Sequence, residues 1–203
     1  PHTTAPAPQP QPNADTNAPL KPNPAAIAKA GNKSVEDVTV VILDRPRHKQ
    51  LVAEVRQAGA RIRLIPDGDV AGALMTSWVD SGVDALMGVG GTPEGVLSAC
   101  ALRAMGGEIQ GKLYARNDTE LHRGREMGYD FKKVLTMTDL VSSEDVFFAA
   151  TGITDGEFLD GVKYFGTGAR TDSLVVRGQT GTVRQIIATH RWDKLNQFSA
   201  IKY

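Results

Sequence analysis

Two arginines, Arg45 and Arg47, flank Pro46, whose ring fixes the backbone between them. Guanidinium forks match the oxygens of a phosphate, and each charge-assisted bond contributes roughly 1.5–3 kcal/mol. A helix start with solvated arginines explains the same residues. Further on, Asp67-Gly68-Asp69 sets two carboxylates around a glycine. Such a pair can hold sugar hydroxyls or a cation. The plain alternative is a turn followed by Asp69 capping the next helix. A third segment reads Gly88-Val89-Gly90-Gly91-Thr92-Pro93-Glu94-Gly95. Here Thr92 suits a helix N-cap and Pro93 the first helical position. The helix dipole favours an ionised Glu94 in the first turn by about 0.3–1 kcal/mol, and that is the form a metal requires. The glycines, Gly91 among them, let backbone amides approach a ligand closely. This is not the dinucleotide fingerprint, whose third glycine would fall at Pro93, and no lysine follows to make a P-loop. Together the three segments suit a phosphorylated polyol with a divalent cation. They contain no evident nucleophile or general base.

These segments need a scaffold that brings them together, and the chain predicts one. Residues 39–43, a β-branched run, 61–65 and 83–89 read as mostly apolar strands, starting 22 residues apart. After the first strand come Leu51, Val52, Val55 and Ala58 at helical spacing, stopped by Gly59. After the second come Ala71, Leu74, Met75 and Trp78 on one helical face. After the third, a helix runs from Glu94 to Met105. Strand and helix alternating at this interval predict a parallel sheet with covering helices, its strands buried on both faces. Ligands bind outside the carboxyl ends of such strands, where all three segments fall. Beyond residue 106 the pattern loosens. Residues 107–114 and 144–150 read as strands and 118–127 as a polar helix. Residues 171–177 and 182–189 form a hairpin around Gly178-Gln179-Thr180-Gly181. The expectation is an α/β fold with one mixed sheet, parallel β-α units first and an antiparallel hairpin later.

Composition sets the outer limits. Of the 203 residues, Lys plus Arg number 23 and Asp plus Glu 23, so the formal net charge is zero. Phosphate-directed nucleic-acid binding usually brings a basic excess, so nucleic acid is not an expected partner. No apolar run reaches the roughly 18 residues of a membrane span, and no signal peptide opens the chain. The single cysteine, Cys100, excludes an internal disulfide and a cysteine zinc site. A cytoplasmic protein is expected. Eight of the 11 prolines lie in residues 1–24, which hold no aromatic residue, so a disordered or polyproline-like tail is expected there and the folded part at 25–203.

The strings LDRPRH (43–48), IPDGDVAGA (65–73) and GVGGTPEGVLSA (88–99) resemble class II fructose-1,6-bisphosphatases, including cyanobacterial enzymes that also act on sedoheptulose-1,7-bisphosphate. ATGITDG (150–156) and TGTVR (180–184), before Thr189-His190, follow in the family's order. The likeness covers roughly residues 20–194, loosely up to 38, and leaves out the proline tail. It implies a layered α/β sandwich of the lithium-sensitive sugar phosphatase type. It also implies hydrolysis of the 1-phosphate of the sugar bisphosphate in gluconeogenesis or the Calvin cycle, by an enzyme that forms homo-oligomers. By motif position, Arg45 and Arg47 would hold substrate phosphate. Asp67, Gly68 and Asp69 would hold sugar hydroxyls, Gly91 would pack against the ligand, and Glu94 would bind catalytic Mg2+ or Mn2+. The family's further metal carboxylates and its water-activating threonine belong to an N-terminal half for which this sequence shows no counterpart. The isolated chain is therefore expected to be inactive or very slow, with no catalytic base of its own.

Two other readings fit the same residues: a non-catalytic sugar-phosphate-binding module or partner subunit, and, more weakly, a small-molecule kinase using the glycine turn. Among the remaining residues, Cys100 and Trp78 are expected in the core. His48 is read either as support for the phosphate site or as a surface residue. His122, Arg123 and Arg125 are expected on a solvated face or at a subunit contact, and Asp155 in a turn or cap.

Overall fold

A computed structural model describes residues 22–156 and 158–198. Helix α1 (Pro22–Ala30) opens it. Residues 22–24, counted with the tail by composition, thus begin a helix, because proline is tolerated in a first turn where no intrahelical N–H bond is needed. The rest of the tail lies outside the described residues. Strand β1 (Thr39–Leu43) and helix α2 (Lys49–Gln57) follow, then β2 (Arg61–Ile65) and α3 (Asp69–Met75). The third unit is β3 (Ala85–Leu86) with α4 (Thr92–Met105). After it come β4 (Gln110–Gly111), α5 (Asp118–Glu126), β5 (Leu135–Thr136) and α6 (Met137–Leu140). The last elements are β6 (Phe147–Thr151), β7 (Lys163–Phe165), β8 (Gly168–Arg177), β9 (Thr182–Arg191) and α7 (Trp192–Phe198).

The expected single mixed sheet is instead a set of separate sheets. Strands β2-β1-β3 are parallel, with Thr39 opposite Arg61 and Val40 opposite Ala85. Strands β6, β7 and β9 all join β8 antiparallel. A small antiparallel pair, β4-β5, stands apart. Expected strands 83–89, 107–114 and 144–150 shrink to 85–86 and 110–111, or shift to 147–151, because apolar character outlasts the ladder that would pair it. Burial on both faces holds for β1, whose Val40 to Leu43 are buried, but not for β2, an edge strand with Leu64 43 % exposed.

Packing makes alternating layers. Val38, Val40 and Ile42 pack on Ile27, Ala28 and Val55 from α1 and α2. The opposite face offers Val41, Leu43 and Ile65 to Met75 of α3. On the far side of the helices, Leu74, Ala101, Ala104 and Met105 meet Phe148, Leu174 and Val176 of the antiparallel sheet. Helix α3 is thereby enclosed between two sheets, while α4 packs on α3 and on the antiparallel sheet and leaves Val96 and Leu97 exposed. Two core expectations need correction. Trp78 lies beyond the end of α3 and is 36 % exposed, with its ring edge-on to Phe158 at 5.1 Å. Cys100 is half-buried on α4. Asp155, expected in a turn or cap, lies in the irregular loop between β6 and β7 and accepts from the Gly161 amide at 2.9 Å.

Two details yield predictions. A Cβ at Gly72 would stand 3.1 Å from Ile65 Cδ1 and Leu86 Cδ1 and 3.3 Å from Val41 Cγ1, so α3 lies directly on the parallel sheet. Gly72→Val should cost about 1–3 kcal/mol by overpacking, read by chemical denaturation. At α6, Thr136 donates its N–H and its hydroxyl to Asp139 Oδ2, both at 2.9 Å, and Lys133 Nζ lies 2.5 Å from Oδ1. The lysine bond first, then those from Thr136, hold the Asp139 carboxyl down to about 2. A depressed carboxylate stabilises the fold above its unfolded-state range and loses that effect as pH falls through its folded value. Acid titration followed by amide exchange should therefore keep Thr136 protected until the pH nears about 2. Loss with a midpoint near an ordinary aspartate's, about 4, would contradict it.

Candidate functional site

Each parallel strand hands its chain to a helix through one of the three polar segments. After β1, the Asp44 amide bonds Ile65 O at 2.8 Å, fixing the strand end. Arg45 is extended (φ −134°, ψ 144°), as a residue before proline prefers, and Pro46 begins a single tight turn to His48. Arg45 Nη2 lies 3.6 Å from Asp67 Oδ1, and Nη1 donates to Asp44 O at 3.2 Å. Arg47 Nε donates to Val89 O at 2.9 Å. The first segment therefore touches both of the others.

After β2, Gly68 caps α3 in the left-handed region (φ 84°), where glycine is favoured. This corrects the expected cap: Asp69 is the first helical residue, and its Oδ1 accepts from the Val70 amide at 3.0 Å. Asp67 Oδ1 accepts from the Gly68 amide at 2.9 Å, and its side chain is 91 % exposed. After β3, Gly91 rather than Thr92 is the N-cap of α4, so Thr92 and Pro93 both fall in the first turn. The Glu94 carboxylate folds back onto Gly91, where any Cβ would collide with its Oε2. A Cβ on Gly90 would come 3.0 Å from Asp69 Oδ2. The second and third segments are thus in contact as well.

A cleft of about 790 Å³ opens beside the third segment. Asp69, Gly91 and Glu94 line it together. Arg45 instead lines a separate cavity of about 230 Å³ with Asp44, Lys49 and Arg56. Arg47, Asp67 and Gly68 line neither. The expected site residues thus share one sheet edge but divide into an acidic side on the cleft and a cationic side next to it. Lys112, Tyr114 and Arg123, which sequence reasoning did not assign to the site, also line the cleft. The run Lys112-Leu113-Tyr114-Ala115-Arg116, mixing basic and aromatic residues, was the available signal. Glu120, which also lines the cleft, is held below the usual carboxylate range by the Arg116 guanidinium 2.5 Å away. His48, left open between two readings, is buried (2 % exposed) and bonded to Leu43 O and the Val89 amide. His122, on the exposed face of α5, sits 3.4 Å from Glu126.

A divalent cation finds little here. Mg2+ takes six oxygens, and Glu94 supplies one carboxylate group. Among the described residues no three His, Cys, Asp or Glu side chains gather to hold a metal. These residues do not by themselves fit a catalytic ion. Nor is any helix among them long and apolar enough to cross a membrane.

Comparison with known proteins bears out the family resemblance. The family described as bacterial fructose-1,6-bisphosphatase, glpX-encoded, matches residues 5–190. That match enters the proline-rich segment, which the motif likeness had left out. Fructose-1,6-bisphosphatase 1 class 2 of Escherichia coli (strain K12) is 42% identical over 193 residues, covering 89% of this chain and 57% of the relative. The class 2 proteins of Escherichia coli O6:H1 and Shigella flexneri match with the same figures. The chain spans a little over half the length of these curated relatives. With residues 5–190 matched by the family and 42% identity over 89% of the chain, the chain belongs to the class 2 fructose-1,6-bisphosphatase family.

Proposed function

We propose that this chain supplies the sugar-phosphate-binding part of a phosphoric monoester hydrolase acting on the 1-phosphate of fructose-1,6-bisphosphate. The single observation that carries the reading is the mutual contact of the three strand-end segments. Arg47 reaches Val89, Arg45 faces Asp67, and Asp69 touches Gly90. In this reading Arg45 and Arg47 hold a phosphate, while Asp67 and Asp69, positioned by Gly68, accept bonds from sugar hydroxyls. Gly91 leaves the helix start open to the ligand. Glu94 contributes one carboxylate to Mg2+ or Mn2+, and the rest of that ion's ligands must come from outside the described residues. Sedoheptulose-1,7-bisphosphate, one carbon longer, belongs to the same proposal, as do a homo-oligomer, a cytoplasmic location and a lithium-sensitive layered fold. The alternating helix and sheet layers support that fold.

One observation favours a second reading in which the chain alone binds sugar phosphate without turning it over. Hydrolysis needs metal, a positioned water and charge stabilisation assembled together. The described residues gather no metal ligand trio. Two measurements follow. Calorimetry should show fructose-1,6-bisphosphate binding, weakened about ten- to hundredfold by Arg47→Ala, the effect of one charged hydrogen bond. Unchanged affinity in an Arg45→Ala, Arg47→Ala double variant would refute the assignment, and a preference for ATP would favour a kinase. Phosphate release from the pure chain with Mg2+ or Mn2+ should be very slow or absent. Steady turnover would overturn the binding-only reading and leave the hydrolase reading standing.

A further inference from the structure

Buried polar groups are bonded because leaving them unpaired is costly, so a buried histidine shows what it is for by its partners. His48 is 2 % exposed and uses both ring nitrogens on backbone groups. Nδ1 lies 2.8 Å from Leu43 O, at the end of β1. Nε2 lies 2.9 Å from the Val89 amide nitrogen, in the glycine run after β3. The carbonyl can only accept and the amide can only donate. The ring must therefore carry its proton on Nδ1 and offer a lone pair at Nε2. No nitrogen remains for a phosphate or for proton transfer.

Neighbouring groups close the same joint. Arg47 Nε donates to Val89 O at 2.9 Å, so residues 47 and 48 take hold of Val89 by both its carbonyl and its amide. Gly88 lies against the ring, where a Cβ would be 3.1 Å from His48 Cε1 and 3.2 Å from Nε2. Only a residue without a side chain allows that approach without displacing the imidazole. The loop so held runs directly into Gly91 and Glu94.

We propose that His48 is a positioning residue: it fastens the Gly88–Gly91 loop to the end of β1 and so sets where Gly91 and Glu94 stand relative to Arg45 and Arg47. Its consequence for ligand affinity rests on the sugar-bisphosphate reading above, whereas the fastening itself does not. The test compares the wild-type chain with His48→Ala and His48→Gln, whose amide oxygen can still accept from Val89. Hydrogen exchange of the Val89 amide should accelerate about tenfold in His48→Ala, the worth of one hydrogen bond, while amides of Ala101 to Met105 keep their rates. The glutamine variant should recover most of the protection. Affinity for fructose-1,6-bisphosphate should fall and recover in parallel. Unchanged Val89 exchange, or equal acceleration through α4, would overturn the proposal. So would lost and regained loop protection with constant affinity. A wild-type chain that binds no sugar bisphosphate would refute the functional reading alone, with the exchange data still deciding the fastening. Nitrogen-15 shifts of the wild-type His48 ring decide it even if His48→Ala does not fold. A protonated Nδ1 with a bare Nε2 is required, and the opposite tautomer would overturn it.

Discussion

The enclosure of α3 between two sheets is the constraint on which the rest depends. A helix covered on both sides has no solvent face to absorb a change in position, so its ends are fixed by packing. Leu74 and Met75, adjacent on α3, are both nearly inaccessible, one facing the antiparallel sheet and the other the parallel one. Close-packed interiors transmit such placement faithfully. The second polar segment enters α3, and the third enters α4, which packs against α3. Their carboxylates are therefore placed by apolar contacts some distance away, as sites carried on rigid elements generally are.

The charge pattern gains meaning in this frame. A net charge of zero gives no hint of a charged site. Within the fold Arg45, paired with Asp67 at 3.6 Å, opens to one cavity and Asp69 with Glu94 to another. The separation is local, over one sheet edge, so it steers a ligand's orientation more than its long-range approach. The larger cleft is also lined by two cations, Lys112 and Arg123. An anion entering there meets both signs, and its orientation follows from which groups it can neutralise.

Much of the first half was legible because strands 39–43 and 61–65 are short, apolar and bounded by proline, aspartate and glycine. Periodicity located them to the residue. The candidate site residues stood out for a different reason: their types are costly to place together unless bonded to something. What escaped was pairing. Residues 144–151 look the same whether they join a parallel or an antiparallel sheet, and only the long β8–β9 hairpin decides it. His48 escaped too, since nothing in Arg47-His48-Lys49 says that one ring bridges two loops 41 residues apart. Trp78 was misplaced because its helical phase was right but α3 ends at Met75, three residues earlier. Thr92 was misplaced by one residue, the usual error at a helix end, where Gly91 served equally as cap.

The hairpin has a consequence for how copies of this chain meet. Strand β9 pairs with β8 along ten residues, and among the described residues no strand adjoins its other side. Its middle exposes Ile186 and Ile187, a sticky edge by composition. Yet Arg184 and Arg191 bracket those isoleucines. In a stack of identical strands in register, each arginine would face its own copy one strand spacing away, about 4.8 Å. Such rows of like charge oppose fibril growth without touching the hairpin's own ladder. The same strand can therefore be long enough to shape the inner sheet and still be kept from polymerising.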